Sequence, residues 1–402
     1  MTRRIVIVGA GQAGLAVAMQ LRRLGFDGDV TLIGEEALPP YQRPPLSKAY
    51  LLGKLDDDRL LLKPLDFYRD QKIELLLGEQ VEAVDLVARK VRLAVRELPF
   101  DDLVLATGAS PRPLPPEVGG GLDGLYYLRN QMDALRLGPE LQSGRRLLIL
   151  GGGYIGLEVA AVARSRGLEV TVLEMADRIL QRVAAPQTSD FFRKLHAAHG
   201  VQIMESAGLL RLTGSGHISG ADLIDGRQLP ADLAVIGVGV LPRTALAEAV
   251  GIGVENGIRV DARGQTSARG VWAVGDCCSL PFEGRCIRLE SVPNANDQGA
   301  IVAHNILGMD RDYLPQPWFW SDQYDVKLQI AGLNQGYDRT VVRPSADNRS
   351  QSVWYFENDR LLSVDAMNEP RSYMLARRLL QKNASPRFEQ IADPEFDPAT
   401  LL

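Results

Sequence analysis

Two glycine patterns in this chain have residue types and spacing suited to holding phosphate. Gly9-Ala10-Gly11-Gln12-Ala13-Gly14 and Gly151-Gly152-Gly153-Tyr154-Ile155-Gly156 both place glycine at the first, third and sixth positions. The first glycine of such a pattern permits a tight turn. The second lets backbone approach a pyrophosphate, and the third lets a helix pack closely on a sheet. Each pattern is followed by an acid suited to ribose hydroxyls: Glu35, 26 residues after Gly9, and Glu174, 23 residues after Gly151. The carboxylate of Glu174 repels a 2'-phosphate, which favours NADH over NADPH. Arg178, four residues on, could soften that preference.

Other residues are ambiguous when taken alone. Glu158 lies in the first turns of the helix after the second pattern, either as a capping acid or as a nicotinamide-side contact. Arg43 and Lys48 fall in the proline-rich stretch PPYQRPPLSKAYL, where they are surface charges or phosphate and flavin contacts. Asp276 ends the apolar run Gly270–Asp276, either as a turn residue or as an acceptor for a sugar-alcohol hydroxyl. Ser291–Ala303 reads as a loop feeding a helix whose first amides could face a flavin edge. Cys277, Cys278 and Cys286 form no CxxC pair, which argues against a disulfide framework or a thioredoxin-like couple. His196 and His199 are three apart on a polar helix. A solvated helix face suits them better than a metal site, and no metal is expected.

These residues need strands and helices to position them. Arg4–Val8 and Arg146–Leu150 are β-branched or leucine-rich runs that enter the glycines directly, with apolar helical patterns after them. Val30–Ile33 and Val170–Leu173 are the strands that present the two acids. Leu103–Leu105 reads as a buried strand, and the proline-rich Ser110–Pro116 after it marks a crossover between lobes. Asp232–Ile236 reads as a strand returning to the first lobe. From Trp318 the texture changes to strand runs at 327–333, 340–342, 352–356 and 360–364 and a helix at 373–381. Residues after Lys382 look like a poorly patterned tail. The fold class is therefore α/β, with two Rossmann-like dinucleotide-binding domains plus a C-terminal α+β domain. The boundaries expected are 1–109 with 233–317 for the first, 110–232 for the second, and 318–402 for the last.

Two dinucleotide sites in one chain imply electron passage between their ligands, with FAD bound first and NADH second. The chain has 402 residues, a net charge of −5 and 24% charged residues, which argues against general nucleic-acid binding. Its start, Met1 to Val8, runs straight into a strand without a signal-peptide pattern, and no apolar run reaches membrane-spanning length. A cytoplasmic location without membrane insertion is expected.

Several longer motifs resemble one family: RPPLSKAYL at 43–51, LVLATGASPRPLP at 103–115, GGGYIGLEVAA at 151–161, WAVGDC at 272–277, RLESVPNA at 288–295 and PWFWSDQYD at 317–325. The chain resembles the FAD-dependent NADH:ferredoxin reductases of bacterial cytochrome P450 and ring-hydroxylating oxygenase systems, the putidaredoxin-reductase-like family, over nearly its whole length. The resemblance implies a glutathione-reductase-like arrangement and electron transfer from NADH to a [2Fe-2S] ferredoxin. It implies FAD contacts at Gly9, Gly11, Gly14, Glu35, Arg43, Lys48, Ala106, Arg129, Asp276, Val292 and Trp320. The implied NADH contacts are Gly151, Gly153, Ile155, Gly156, Glu158, Glu174, Gly239 and Glu290. No protein acid or base is essential, because flavin N5 is the hydride acceptor. The stretches 92–99 and 210–227 look short for the family. Cysteine-dependent relatives are set aside, because 39–48 holds no cysteine. A rubredoxin reductase or an NADH oxidase on the same fold, or a protein resembling apoptosis-inducing factor, are the alternatives.

Overall fold

In the computed structural model, residues 2–344 and 349–402 are described. The β-branched run Arg4–Val8 is buried along nearly its whole length and lies at the centre of a five-stranded sheet. Its neighbours are Asp29–Gly34 and Asp102–Leu105, both parallel to it, with Ile73–Leu77 and Val271–Ala273 at the edges. A strand buried on both faces needs apolar residues at consecutive positions, which is why these runs do not alternate. The helix Gln12–Arg23 follows the first strand directly. It packs against the helix Val292–Ile306 at close range: a Cβ on Gly299 would lie 2.9 Å from Ala16 Cβ and 3.0 Å from Ala13 O. Gln12 also donates to Asn296 at 2.8 Å.

These elements belong to one of two units into which the chain divides: Met1–Gln42, Asp56–Ser110 and Val240–Pro317. Its core joins Ile5, Ile7 and Leu32 of the sheet to Val17 and Leu21 of one helix and Val302 and Ile306 of the other.

The other unit comprises Arg43–Leu55, Pro111–Gly239 and Trp318–Leu402. Its parallel sheet runs Gln202–Met204, Glu169–Leu173, Arg146–Leu150, Leu233–Ile236 and Leu125–Tyr126. Leu233–Ile236 therefore does not return to the first lobe, as the sequence reading had it; the return begins only at Val240. The reason is a contact between residues far apart in the chain. The Asp232 carboxylate accepts from the backbone N–H of Arg146 at 2.8 Å and ion-pairs with its guanidinium, fixing the start of the strand beside Arg146–Leu150. A short apolar run carries no such address in its own sequence.

The same unit carries a five-stranded antiparallel sheet in the order Trp318–Gln323, Val326–Gly332, Arg360–Met367, Gln351–Glu357 and Arg339–Pro344. One face of this sheet joins Leu157, Ile179 and Phe192 in a single core through Leu328, Val353 and Tyr355. The helix Pro370–Gln381 covers the other face through Tyr373, Ala376 and Leu379. The tail is more ordered than its sequence suggests. Phe388–Ala392 is a short helix that buries Ile391 and sets Phe388 against Phe356, with the Arg339 guanidinium over its ring.

Candidate functional site

In the first unit Gly9 and Gly14 take the turn and packing places that their spacing predicts. Gly9 has φ +120°, and a Cβ there would sit 2.0 Å from the carbonyl oxygen of Ala106, so Ala106 bounds the turn. A Cβ on Gly14 would meet the Gly9 carbonyl at 2.0 Å; only glycine lets this helix approach this strand. Gly11 differs, with nothing within 4 Å of its missing Cβ. It is the N-cap of the helix Gln12–Arg23, no side chain caps that helix, and its first turn holds no acid. Uncapped amides beside open space form an anion cradle, and the residues present fit a pyrophosphate. Glu35 lies just beyond the strand Asp29–Gly34 and ion-pairs with Arg243. Such exposed pairs are worth at most about 1 kcal/mol, too little to keep the carboxylate from ribose hydroxyls. Asp276 lies in the 3-10 turn Gly275–Cys277, whose first amide donates to Gln298 at 2.8 Å. Val292 opens its helix, with Ser291 as N-cap accepting from the Asn294 amide. Glu290 is exposed and paired with Arg288.

The second unit repeats the cradle. Gly151 has φ +107°, and its Cβ would be 2.4 Å from Gly237 O. Gly156 would meet Gly151 O at 2.2 Å, while Gly153 faces open space at the uncapped start of the helix Tyr154–Ser165. Ile155 is exposed in the first turn of that helix, and Gly239 has φ +103°. Glu174 lies just beyond the strand Glu169–Leu173 and accepts from the Gly152 amide at 2.7 Å and the Ala176 amide at 2.8 Å. Its carboxylate is thereby held at the edge of the glycine turn. Arg178 donates to Ser189 at 2.7 Å.

Glu158 is not a capping acid. It is 4% exposed and ion-pairs with Lys48 at 2.7 Å. Ser47 donates to the same carboxylate oxygen, and Ser321 donates to the other at 2.6 Å. Two chain segments, one at Ser47 and Lys48 and one at Ser321, thus converge on this acid. Arg43 donates to the carbonyl of Arg129 at 2.9 Å, so those two predicted contacts are adjacent in the same unit. Trp320 is half-buried in an aromatic row, 5.5 Å from Trp318 between ring centres.

The matches to known proteins decide the family. The profile described as pyridine nucleotide-disulphide oxidoreductase matches residues 3–299, and a reductase C-terminal profile matches 318–402. Rhodocoxin reductase of Rhodococcus erythropolis is 42% identical, covering 98% of this chain and 93% of its own. Putidaredoxin reductase of Pseudomonas putida is 42% identical over 94% of this chain and 91% of its own. The covalent putidaredoxin reductase–putidaredoxin complex superposes with a TM-score of 0.95 at 39% identity, covering 99% and 98% of the two chains. The chain belongs to the pyridine nucleotide-disulphide oxidoreductases. Within them it groups with the ferredoxin reductases.

This oxidoreductase carries no disulfide. Cys277 and Cys278 are buried, and burial pushes both thiols up, which leaves them unreactive; Cys286 is exposed. Among the described residues no group of His, Cys, Asp and Glu is arranged to hold a metal, and no helix is long and apolar enough to cross a membrane.

Sequence reasoning missed two polar residues on Glu158 and a third further along the same hydrogen-bond network. Ser47 and Ser321 were passed over inside motifs. His196, read as part of a solvated helix face, is fully buried and hydrogen-bonded to Gln323 at 2.8 Å. Burial lowers its pKa to about 4. Only the alternation in Trp318–Gln323 hints at this arrangement. Trp318 and Trp320 share one face, while Phe319, Ser321 and Gln323 share the other.

Proposed function

We propose that this protein moves electrons from NADH through bound FAD to a [2Fe-2S] ferredoxin serving a cytochrome P450 or a ring-hydroxylating oxygenase. The observation that carries the reading is the pair of glycine cradles, each with an uncapped helix start and open space at its middle glycine. The likeness to rhodocoxin and putidaredoxin reductases supports the choice of carrier.

Bound FAD would supply the chemistry, accepting a hydride at N5 and passing on single electrons. The chain's own residues bind and orient. Gly9, Gly11 and Gly14 receive the pyrophosphate of FAD on helix amides, Glu35 holds its ribose, and Asp276 holds its ribityl chain. Ala106 closes the turn beneath, and the first turn of the helix at Val292 presents amides to the flavin. In the other unit Gly151, Gly153, Ile155, Gly156 and Gly239 line the NADH cradle, Glu174 selects its ribose, and Glu158 lies at the nicotinamide end. The roles of Arg43, Lys48, Arg129 and Trp320 toward FAD, and of Glu290 toward NADH, rest on the family resemblance alone. The FAD-binding body then spans the discontinuous segments around the first sheet, the NAD-binding body those around the second, and residues from 318 onward form a C-terminal module. A cytoplasmic setting suits a reductase that draws on NADH.

The test is NADH-dependent cytochrome c reduction with a panel of purified [2Fe-2S] ferredoxins and rubredoxins. Turnover that needs a ferredoxin supports the reading. Turnover with rubredoxins alone, or with oxygen alone, overturns it.

A further inference from the structure

The buried carboxylate of Glu158 is the end of a longer chain of hydrogen bonds. Ser321 donates to Glu158 Oε1 at 2.6 Å, and Gln323 Nε2 donates to Ser321 Oγ at 3.2 Å. Gln323 Oε1 lies 2.8 Å from His196 Nε2, and Tyr324 Oη lies 3.4 Å from His196 Nδ1. Ser321, Gln323 and His196 are fully buried, so water does not compete for these groups. His199 stacks on the Tyr324 ring at 3.7 Å and closes the far end.

The direction of every bond follows from the carboxylate. Glu158 can only accept, so Ser321 must spend its proton on it. Ser321 Oγ then has only lone pairs left, and Gln323 must turn its NH2 toward it. The Gln323 carbonyl therefore faces His196, which must carry its proton on Nε2 and leave Nδ1 to accept from Tyr324. Donors aligned in one direction polarise one another and strengthen the last bond, the one to Glu158. The chain spans three elements: Glu158 on the helix Tyr154–Ser165, Ser321 and Gln323 on the strand Trp318–Gln323, and His196 on the helix Pro186–Ala198.

We propose that Ser321 and Gln323 are positioning residues for Glu158, and through it for Lys48: the first strand of the C-terminal sheet, aligned by the His196 tautomer, holds the acid at the nicotinamide end in one orientation. This gives the C-terminal module a part in handling NADH as well as in packing. The inference rests on the placement of Glu158 proposed above.

Two measurements on the flavin-loaded enzyme test it. The first is the ring 15N spectrum of histidine-labelled protein, with His196 assigned by the variant His196→Gln. The expected state is neutral imidazole protonated at Nε2, lost or mixed in Gln323→Leu. A proton on Nδ1 overturns the chain. The second is kcat/KM for NADH in Glu158→Gln, Ser321→Ala and Ser321→Cys. Losing a donor to a buried carboxylate should lower kcat/KM by roughly tenfold in Ser321→Ala. Ser321→Cys nearly keeps the shape but donates poorly, and should lose about as much as Ser321→Ala. A packing role alone would leave Ser321→Cys near wild type, which would sink the proposal. If Glu158→Gln lowers kcat/KM and both Ser321 variants do not, only this inference fails. If Glu158→Gln itself is silent, the nicotinamide-side reading of Glu158 fails and the inference goes with it.

Discussion

At the scale of single residues, charges are decided by what holds them. Glu174 is anchored by two backbone amides, which stabilise the carboxylate beside the second glycine turn. We expect kcat/KM to favour NADH over NADPH by at least roughly tenfold, about 1.4 kcal/mol of differential binding, and Glu174→Ala to erase most of that. Steady-state rates with both donors check this; equal values in the wild type would mean that Arg178 or a neighbour compensates. Asp365 is the opposite case. It is fully buried, accepts from Thr188 at 2.7 Å and from Tyr355, and keeps Oδ1 without a partner. Burial raises its pKa from 3.8 to about 6. A raised acid contributes stability fully below its unfolded pKa and loses that contribution as pH rises through the folded one. Wild type should therefore lose melting temperature relative to Asp365→Asn between about pH 4 and pH 6–7. A difference between the two that does not change with pH would show that Asp365 titrates normally.

At the scale of elements, the glycine cradles separate packing from binding. Gly14 and Gly11 are three residues apart, yet a methyl group meets a carbonyl oxygen at 2.0 Å at the first and open space at the second. Gly14→Ala should force the helix Gln12–Arg23 off its sheet and cost about 1–3 kcal/mol or more, read as a lowered melting temperature of flavin-stripped protein. Gly11→Ala should leave that temperature within a degree or two, about the effect of a neutral surface change, while flavin occupancy falls because the methyl fills the phosphate approach. The ratio of flavin to protein absorbance after reconstitution reports this. Full occupancy in Gly11→Ala would remove the first cradle as the pyrophosphate site.

At the scale of the whole molecule, the first expectation is the cofactor itself. Flavin released by heat should co-chromatograph with FAD; FMN would contradict an adenosine-type cradle ending at Glu35. The second concerns electron exit. The protein carries a net charge of −5, so attraction for an acidic ferredoxin has to be local. Five cations are candidates for that attraction: Arg43, Lys48, Arg285, Arg288 and Arg311. The structure commits three of them. Arg43 donates to Arg129, Lys48 pairs with Glu158, and Arg288 pairs with Glu290 with little exposure. Arg285 and Arg311 are the exposed ones. In stopped flow, Arg285→Glu or Arg311→Glu should slow second-order ferredoxin reduction while leaving flavin reduction by NADH nearly intact. The wild-type rate should itself fall as salt rises from low ionic strength. A rate insensitive to both charges and to salt would assign docking to apolar contacts such as the Trp318–Trp320 row.

Sequence alone determined what is local in the chain. The two glycine patterns, the strands that enter them, and Glu35 and Glu174 depend on spacing within about 30 residues, the length of one strand–helix–strand unit. Within that length, backbone sterics and periodicity leave few alternatives. Four of the five strands of the C-terminal sheet were legible for the same reason, to within a residue or two at most ends, while Trp318–Gln323 was not among the runs read as strands. Only tertiary structure decided what depends on partners far along the chain. Leu233–Ile236 joins the second sheet because Asp232 grips Arg146, 86 residues away. The tail orders because Phe388 finds Phe356 and Arg339. Glu158 became a buried acid, and His196 a buried base, because residues 111 and 127 positions distant supply their hydrogen bonds. A polar side chain reads as solvated until the fold removes its water, and only folding brings together the partners that make that removal affordable.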